Sequence, residues 1–220
     1  ARQRQANRLH EVAYRACFKP QLPRFFIERL TKPGEVVYDP FSGRGTTFLE
    51  AALLGRSPWA NDASPLSRIL AAPRLEPPDL AELEKRLDSL PLEDTEKAEL
   101  DLSMFYHPKT EGQLVSLRRY LAERKAAGME DPLDRWVRMV ATNRLTGHSP
   151  GFFSVYSLPP NQAAQPGAQR KINEKLKQVP TPRDVAKLIL KKSAQLMKGR
   201  TEDLRRALAL GQLQLHYQPQ

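Results

Sequence analysis

Val36-Val37-Tyr38-Asp39 runs directly into Pro40-Phe41-Ser42-Gly43-Arg44-Gly45, and from there into Thr46-Thr47-Phe48-Leu49-Glu50. The first four residues are rich in β-branched and aromatic side chains and predict a short buried strand. Residues 46–54 (TTFLEAALL) predict a helix that stops at Gly55, which serves as a C-terminal cap. Ser57-Pro58-Trp59-Ala60-Asn61-Asp62 then predicts a second strand with a polar end. Strand, glycine turn, helix and strand in roughly 27 residues is the βαβ unit of a parallel sheet. Upstream, residues 23–30 (PRFFIERL) suit a helix with Pro23 in its first turn, and Lys32-Pro33-Gly34-Glu35 forms a turn before the strand.

The turn limits what it can hold. Gly43 and Gly45 lack Cβ atoms, so the backbone can take unusual dihedrals there and a ligand can approach the main chain. A dinucleotide fingerprint would place its third glycine where Phe48 stands, which argues against a nicotinamide cofactor. The Gly-Lys-Ser/Thr ending that grips nucleotide phosphates is also missing. An acid at the head of the turn, Asp39, suits a ligand that carries positive charge. S-adenosylmethionine has that character, with an ammonium and a sulfonium beside a carboxylate. On this reading Asp39 accepts from the amino-acid end, and the amides of Gly45 and Thr46 face its anionic part. Asp62, at the end of the next strand, can take both ribose hydroxyls, leaving Ala63 and Ser64 near an adenine edge.

These residues carry a resemblance. Asp39-Pro40-Phe41-Ser42-Gly43-Arg44-Gly45-Thr46 resembles motif I of the amino-group DNA methyltransferases, which modify adenine N6 or cytosine N4. Asn61-Asp62-Ala63-Ser64-Pro65 resembles their motif II, and Cys17-Phe18-Lys19-Pro20-Gln21-Leu22-Pro23 their motif X, an extended segment closing one side of the cofactor pocket. The three occur in the order X, I, II within residues 10–70. The resemblance implies a partial Rossmann-like parallel sheet, S-adenosylmethionine as cofactor, double-stranded DNA as partner, and a pocket bordered by Phe18, Lys19 and Pro20. It implies direct methyl transfer with no covalent enzyme–base intermediate, so Cys17 has no nucleophilic task.

The same resemblance requires a tetrapeptide of Asp, Asn or Ser, then Pro-Pro, then an aromatic, which accepts from the target amine and stacks on an extruded base. It is missing. Glu76-Pro77-Pro78-Asp79 ends in an acid, and Leu158-Pro159-Pro160-Asn161 has Leu and Asn at the decisive places. Both read as proline joints, and no residue is assigned as catalytic. A fragment, a split enzyme whose second chain brings the catalytic strand, and an inactive relic are all open. The fragment is favoured, because an open sheet of two or three strands leaves an edge unprotected. The isolated chain is then expected to transfer no methyl group.

Charge separates two regions. Residues 1–100 hold 15 Lys and Arg against 15 Asp and Glu; residues 101–220 hold 20 against 10, so the formal +10 lies wholly in the second part. A neutral module beside a basic one predicts a polyanion-binding surface, although a basic face serving only solubility fits the count as well. We therefore expect a cofactor-binding α/β region over 1–75 and a mostly α-helical basic region over 76–220 that reads DNA. Helices are predicted over 80–90, 111–127, 132–145 and 183–199, and a strand-like aromatic run over 151–157 (GFFSVYS). In the last helix Arg183, Lys187, Lys191 and Lys198 fall within about 80° of one another, opposite Val185, Ile189 and Leu196.

Arg170, Lys171, Lys187 and Lys191 are the candidate nucleic-acid contacts. Gln162, Gln165, Gln169 and Asn173, in a stretch expected to be exposed, could reach base edges. Phe152, Phe153 and Tyr156 could stack on bases, but their alternation with small residues favours core packing; Trp59 and Trp136 read as core, and His148 as a turn residue. One cysteine and four histidines give no metal-ligand cluster and no disulfide, which fits a reducing cytoplasm. No apolar run is long enough to span a membrane. The rival readings are an RNA amine methyltransferase and a non-catalytic nucleic-acid-binding protein with a degenerate methyltransferase fold.

Overall fold

β1 (Val36–Asp39) pairs in parallel with β2 (Ser57–Asn61), Val36 opposite Ser57 and Asp39 opposite Ala60. Parallel neighbours need a crossover, and α2 (Thr46–Leu53) supplies it. In this computed structural model, which describes residues 6–14, 17–159, 162, 164–199, 201–213 and 216–218, a third strand joins from far along the chain. β3 (His216–Gln218) lies parallel to β2 on its other side, giving the order β1-β2-β3. β1 is therefore an edge strand rather than the buried one expected from its composition. Val36 and Tyr38 are half exposed.

Two compact units divide the chain, one of residues 1–77 with 195–220 and one of residues 78–194. The reading that kept 76–220 together differs at its end, because α9 (Glu202–Leu213) and β3 return to the first unit. α9 packs on α2, and Gly211 makes the approach possible: a Cβ there would lie 2.7 Å from Ala52 Cβ. Between α1 (Gln21–Leu30), the sheet and α9, α2 buries Thr46, Phe48, Leu49, Glu50, Ala51 and Ala52. α3 (Pro65–Ala71) follows β2 and runs into a 3-10 turn, Ala72–Leu75.

The second unit is helical: α4 (Leu80–Asp88), α5 (Pro108–Ala126), α6 (Pro132–Arg144), α7 (Pro166–Leu176) and most of α8 (Val185–Met197). Prolines stand in the first turns of α5, α6 and α7, where the missing N–H is harmless. Asp79, the acid after Pro77-Pro78, accepts from the Ala81 and Glu82 amides and caps α4, so that step is a helix start. Pro160 and Asn161 of the other step lie outside the described residues. Trp136 is fully buried and its indole N–H donates to Ser193 Oγ at 2.9 Å.

The run 151–157 is not a strand. Phe152, Phe153, Ser154 and Val155 are buried in succession, without the alternation a strand would show, and among the described residues only one bridge forms, between Gly147 and Tyr156. Its amides instead reach separate partners: Phe153 N–H donates to Arg144 O and Val155 N–H to Phe105 O, both at 2.9 Å.

Candidate cofactor site and basic surface

The turn after β1 folds back on the end of β2. Ser42 N–H donates to Asn61 O at 3.0 Å, and Gly43 N–H donates to Asp62 Oδ2 at 2.7 Å. Asp62 Oδ1 accepts from Ser64 N–H at 2.8 Å, which fixes the start of α3. Both carboxylate oxygens are thus already engaged, but each has a second lone pair to offer a ligand hydroxyl. Beside it Asn61 Oδ1 is buried and has no partner among the described residues. This acceptor at the end of β2 was not assigned as a site residue; its place between a strand and Asp62 was the available signal. Asp39 Oδ1 accepts from Phe41 N–H at 3.1 Å, capping its own turn, while Pro40 and Phe41 are exposed.

Gly43 and Gly45 both take positive φ, +51° and +74°. The space their missing side chains leave, however, faces protein. A Cβ on Gly45 would lie 2.7 Å from Ala71 Cβ, and one on Gly43 3.4 Å from the Tyr14 ring. The expectation that the Gly45 amide faces a ligand also changes, because that N–H donates to Ser42 O at 2.6 Å within the turn. Thr46 is buried at the start of α2, and its Oγ1 accepts from Arg44 Nε at 3.2 Å. Ala63 is exposed and Ser64 half-buried.

Segment 7–14 packs against this turn. Arg44 Nη1 donates to Val12 O at 2.7 Å, and His10 Nε2 meets Glu50 Oε1 at 2.7 Å with both side chains buried. Burial holds the His10 imidazole below its ordinary value, more than the Glu50 contact raises it. Phe18 and Lys19 are exposed and Pro20 is buried at the start of α1. Phe18 lines a largely apolar groove of about 450 Å³ with Leu22, Phe26, Ile27, Val36 and Thr47. That hollow runs along α1 and β1; Asp39, Gly43 and Asp62 do not line it. The site residues therefore fall into two groups, the turn with the end of β2, and Phe18 in the groove.

The candidate DNA-contacting residues lie in the helical unit. Lys171 and Lys191 are exposed. Arg170 is also exposed but is paired with Asp101 at 2.7 Å, and Lys187 with Asp184 at 3.1 Å. On α8, Val185, Ile189 and Leu196 are buried, as the helical pattern predicts. Gln169 departs from expectation: it is fully buried on α7, where its amide donates to Tyr156 O and Asn173 Oδ1. The polar stretch after Gln165 folds as a helix, and Gln169 lies on its inner face. Phe152 and Phe153 are core, but Tyr156 is exposed, against the core expectation, and Trp59 is only half-buried. Among the described residues no helix is long and apolar enough to cross a membrane.

Residues 1–65 match a family profile described as DNA methylase, covering the N6 and N4 methyltransferases. Over 74 residues the chain is 34% identical to the Type II methyltransferase M.MjaII of Methanocaldococcus jannaschii, a stretch covering 34% of this chain and 14% of that protein. Over 97 residues it is 30% identical to the Type II methyltransferase M.MvaI of Kocuria varians, covering 43% of this chain and 20% of that one. The matched stretches thus span a fifth or less of these relatives. No solved structure matches the chain at a comparable level. The similarity is thus confined to the N-terminal part of the chain, where the glycine turn and Asp62 meet, and there residues 1–65 resemble the amino-methyltransferase family of DNA methylases.

Proposed function

We propose that this chain is the cofactor-binding and DNA-contacting part of a cytoplasmic S-adenosylmethionine-dependent DNA methyltransferase acting on adenine N6 or cytosine N4. The observation that carries the reading is the 2.7 Å hydrogen bond from Gly43 to Asp62, which brings a glycine turn and a strand-end carboxylate into one place. The residues fit the cofactor: Asn61 Oδ1 is a buried acceptor with no partner among the described residues, and Asp62 has lone pairs left for ribose hydroxyls. Asp39 is the acid nearest the head of the turn and would hold the ammonium of the amino-acid end. When bound, S-adenosylmethionine supplies a methyl group on a positively charged sulfur. Pro40, Phe41, Gly43, Gly45 and Thr46 shape the turn around the methionine portion, Ala63 and Ser64 border the adenine, and Phe18, Lys19 and Pro20 close the remaining side. Arg170, Lys171, Lys187 and Lys191 attract the duplex.

No residue here is given the task of accepting the target amine. In our reading a strand from another segment or chain brings it, completing a Rossmann-like sheet of which β1-β2-β3 is one half. The open edge of β1, with Val36 and Tyr38 half exposed beside the apolar groove, supports this. Isothermal titration with S-adenosylhomocysteine, followed by salt-dependent binding of duplex DNA against structured RNA, tests the proposal. The chain is expected to bind the nucleoside, to prefer duplex DNA, and to methylate nothing alone. Failure to bind the nucleoside overturns the cofactor reading, and preference for RNA overturns the substrate.

A further inference from the structure

Arg74 stands behind the glycine turn, fully buried, and among the described residues no carboxylate pairs with it. Its three nitrogens go to backbone carbonyls on three different segments. Nε donates to Leu70 O at 2.8 Å on α3, Nη1 to Leu9 O at 3.0 Å in the N-terminal segment, and Nη2 to Arg44 O between the two turn glycines. A buried guanidinium without a counter-charge is costly, and carbonyl dipoles are weaker compensation than an acid. Burial, with Arg44 nearby, pushes its pKa down to about 9, so it remains a cation at neutral pH. The planar fork suits this arrangement in a way that a lysine ammonium does not, because each N–H direction is fixed.

We infer that Arg74 is the positioning residue of the cofactor turn: by holding the Arg44 carbonyl against the carbonyls of Leu9 and Leu70, it sets the backbone from Gly43 to Gly45 in the form that receives the amino-acid end of the ligand. This rests on the cofactor reading above. The packing agrees with it, since a Cβ on Gly45 would come within 3.3 Å of Arg74 Nη2, close enough that the guanidinium would have to give by a few tenths of an ångström. Arg74 touches no reacting atom in this scheme. It acts through the turn.

The test compares two ligands that differ only at that end, S-adenosylhomocysteine and 5′-methylthioadenosine, by isothermal titration on the wild-type chain and on Arg74→Lys and Arg74→Gln. Both variants should lose at least tenfold in affinity for S-adenosylhomocysteine while 5′-methylthioadenosine changes less than threefold. Lys should fail to rescue, because charge without the fork does not hold three carbonyls. Equal binding by wild type and variants, or equal loss of both ligands in a folded variant, overturns the inference. Should the variants not fold, the wild-type Arg74 Nε–H resonance supplies the second measurement. It should be protected from exchange and shift on saturation with S-adenosylhomocysteine but not with 5′-methylthioadenosine; a resonance unmoved by both overturns the inference. A wild-type chain that binds neither ligand removes the cofactor reading itself.

Discussion

The Asp62 carboxylate and the Gly43 amide, 19 residues apart, share a 2.7 Å hydrogen bond that closes the turn after β1 onto the end of β2. The same carboxylate also accepts from Ser64 N–H at the head of α3. Asp62 is therefore a structural tie as well as the proposed ribose ligand, and the two roles can be separated. Asp62→Ala loses both amide contacts, which in a half-buried, charge-assisted setting contribute about 1–3 kcal/mol together. Asp62→Asn keeps the shape and one acceptor, so it should lose about 1 kcal/mol or less of stability while still losing at least tenfold in affinity for S-adenosylhomocysteine. Denaturant melts and calorimetric titration of both variants check this; unchanged affinity in a folded Asp62→Asn would remove the ribose contact.

Glycines in and beside the turn should rank by what their added methyl would meet. Gly34 and Gly43 have positive φ but open or ordinary surroundings, so alanine there carries chiefly the left-handed backbone penalty of about 1–2 kcal/mol. Gly45→Ala adds a clash with Ala71 Cβ at 2.7 Å, worth a further ~1–3 kcal/mol of overpacking. Urea midpoints should fall in the order Gly45→Ala below Gly43→Ala and Gly34→Ala. If Gly45→Ala proved as stable as Gly34→Ala, the turn would not be packed against α3 as described.

Several elements were legible because each has a local cause. Val36–Asp39 has its strand composition, Thr46–Leu53 its apolar faces and Gly55 cap, and α8 its opposed cationic and apolar sides. Exposure of β1 was not legible, since a parallel edge strand has the same composition as a central one until its neighbours are known. β3 was hidden because three residues carry no pattern and their partner lies more than 150 residues earlier. The ends of α7 are set by Pro166 and by Lys177 at φ +49°, and its polar composition masked the inward face holding Gln169. At the site, the motifs marked the turn and the strand end that the Gly43–Asp62 bond brings together. The buried Arg74 was not legible, because nothing local marks an arginine that ends inside, whereas Asn61 stood beside Asp62 and was passed over.

The His10–Glu50 pair predicts a pH dependence of stability. Burial depresses the His10 pKa below 6.5, so below that value the unfolded chain takes up a proton that the folded chain resists. The contribution is complete above pH 6.5 and is lost as pH falls toward the depressed value, at up to about 1.4 kcal/mol per pH unit. Gln at position 10 can still donate to Glu50 but does not titrate. The stability advantage of wild type over His10→Gln, measured by urea unfolding, should therefore shrink between pH 7.5 and pH 5. An advantage that stays constant or grows on acidification would show that the imidazole is not held neutral by the fold.

The four cations assigned to DNA should not contribute equally. Lys171 and Lys191 are exposed with no ion pair among the described residues, so each is available to displace a counterion from a phosphate. Arg170 must first give up Asp101 and Lys187 must give up Asp184, and a duplex phosphate gained this way is offset by an acid left facing the same polyanion. Each phosphate contact contributes about 0.9 to the slope of log K against log salt concentration. Alanine at Lys171 or Lys191 should therefore lower the slope by about one contact, and alanine at Arg170 or Lys187 by clearly less. Charge reversal of Asp101 or Asp184 to Lys should raise duplex affinity at 50 mM salt for the same reason. Fluorescence anisotropy with a labelled duplex over a salt series measures all six variants. If none changes the slope, these residues of α7 and α8 do not meet DNA, and their charge serves only solubility.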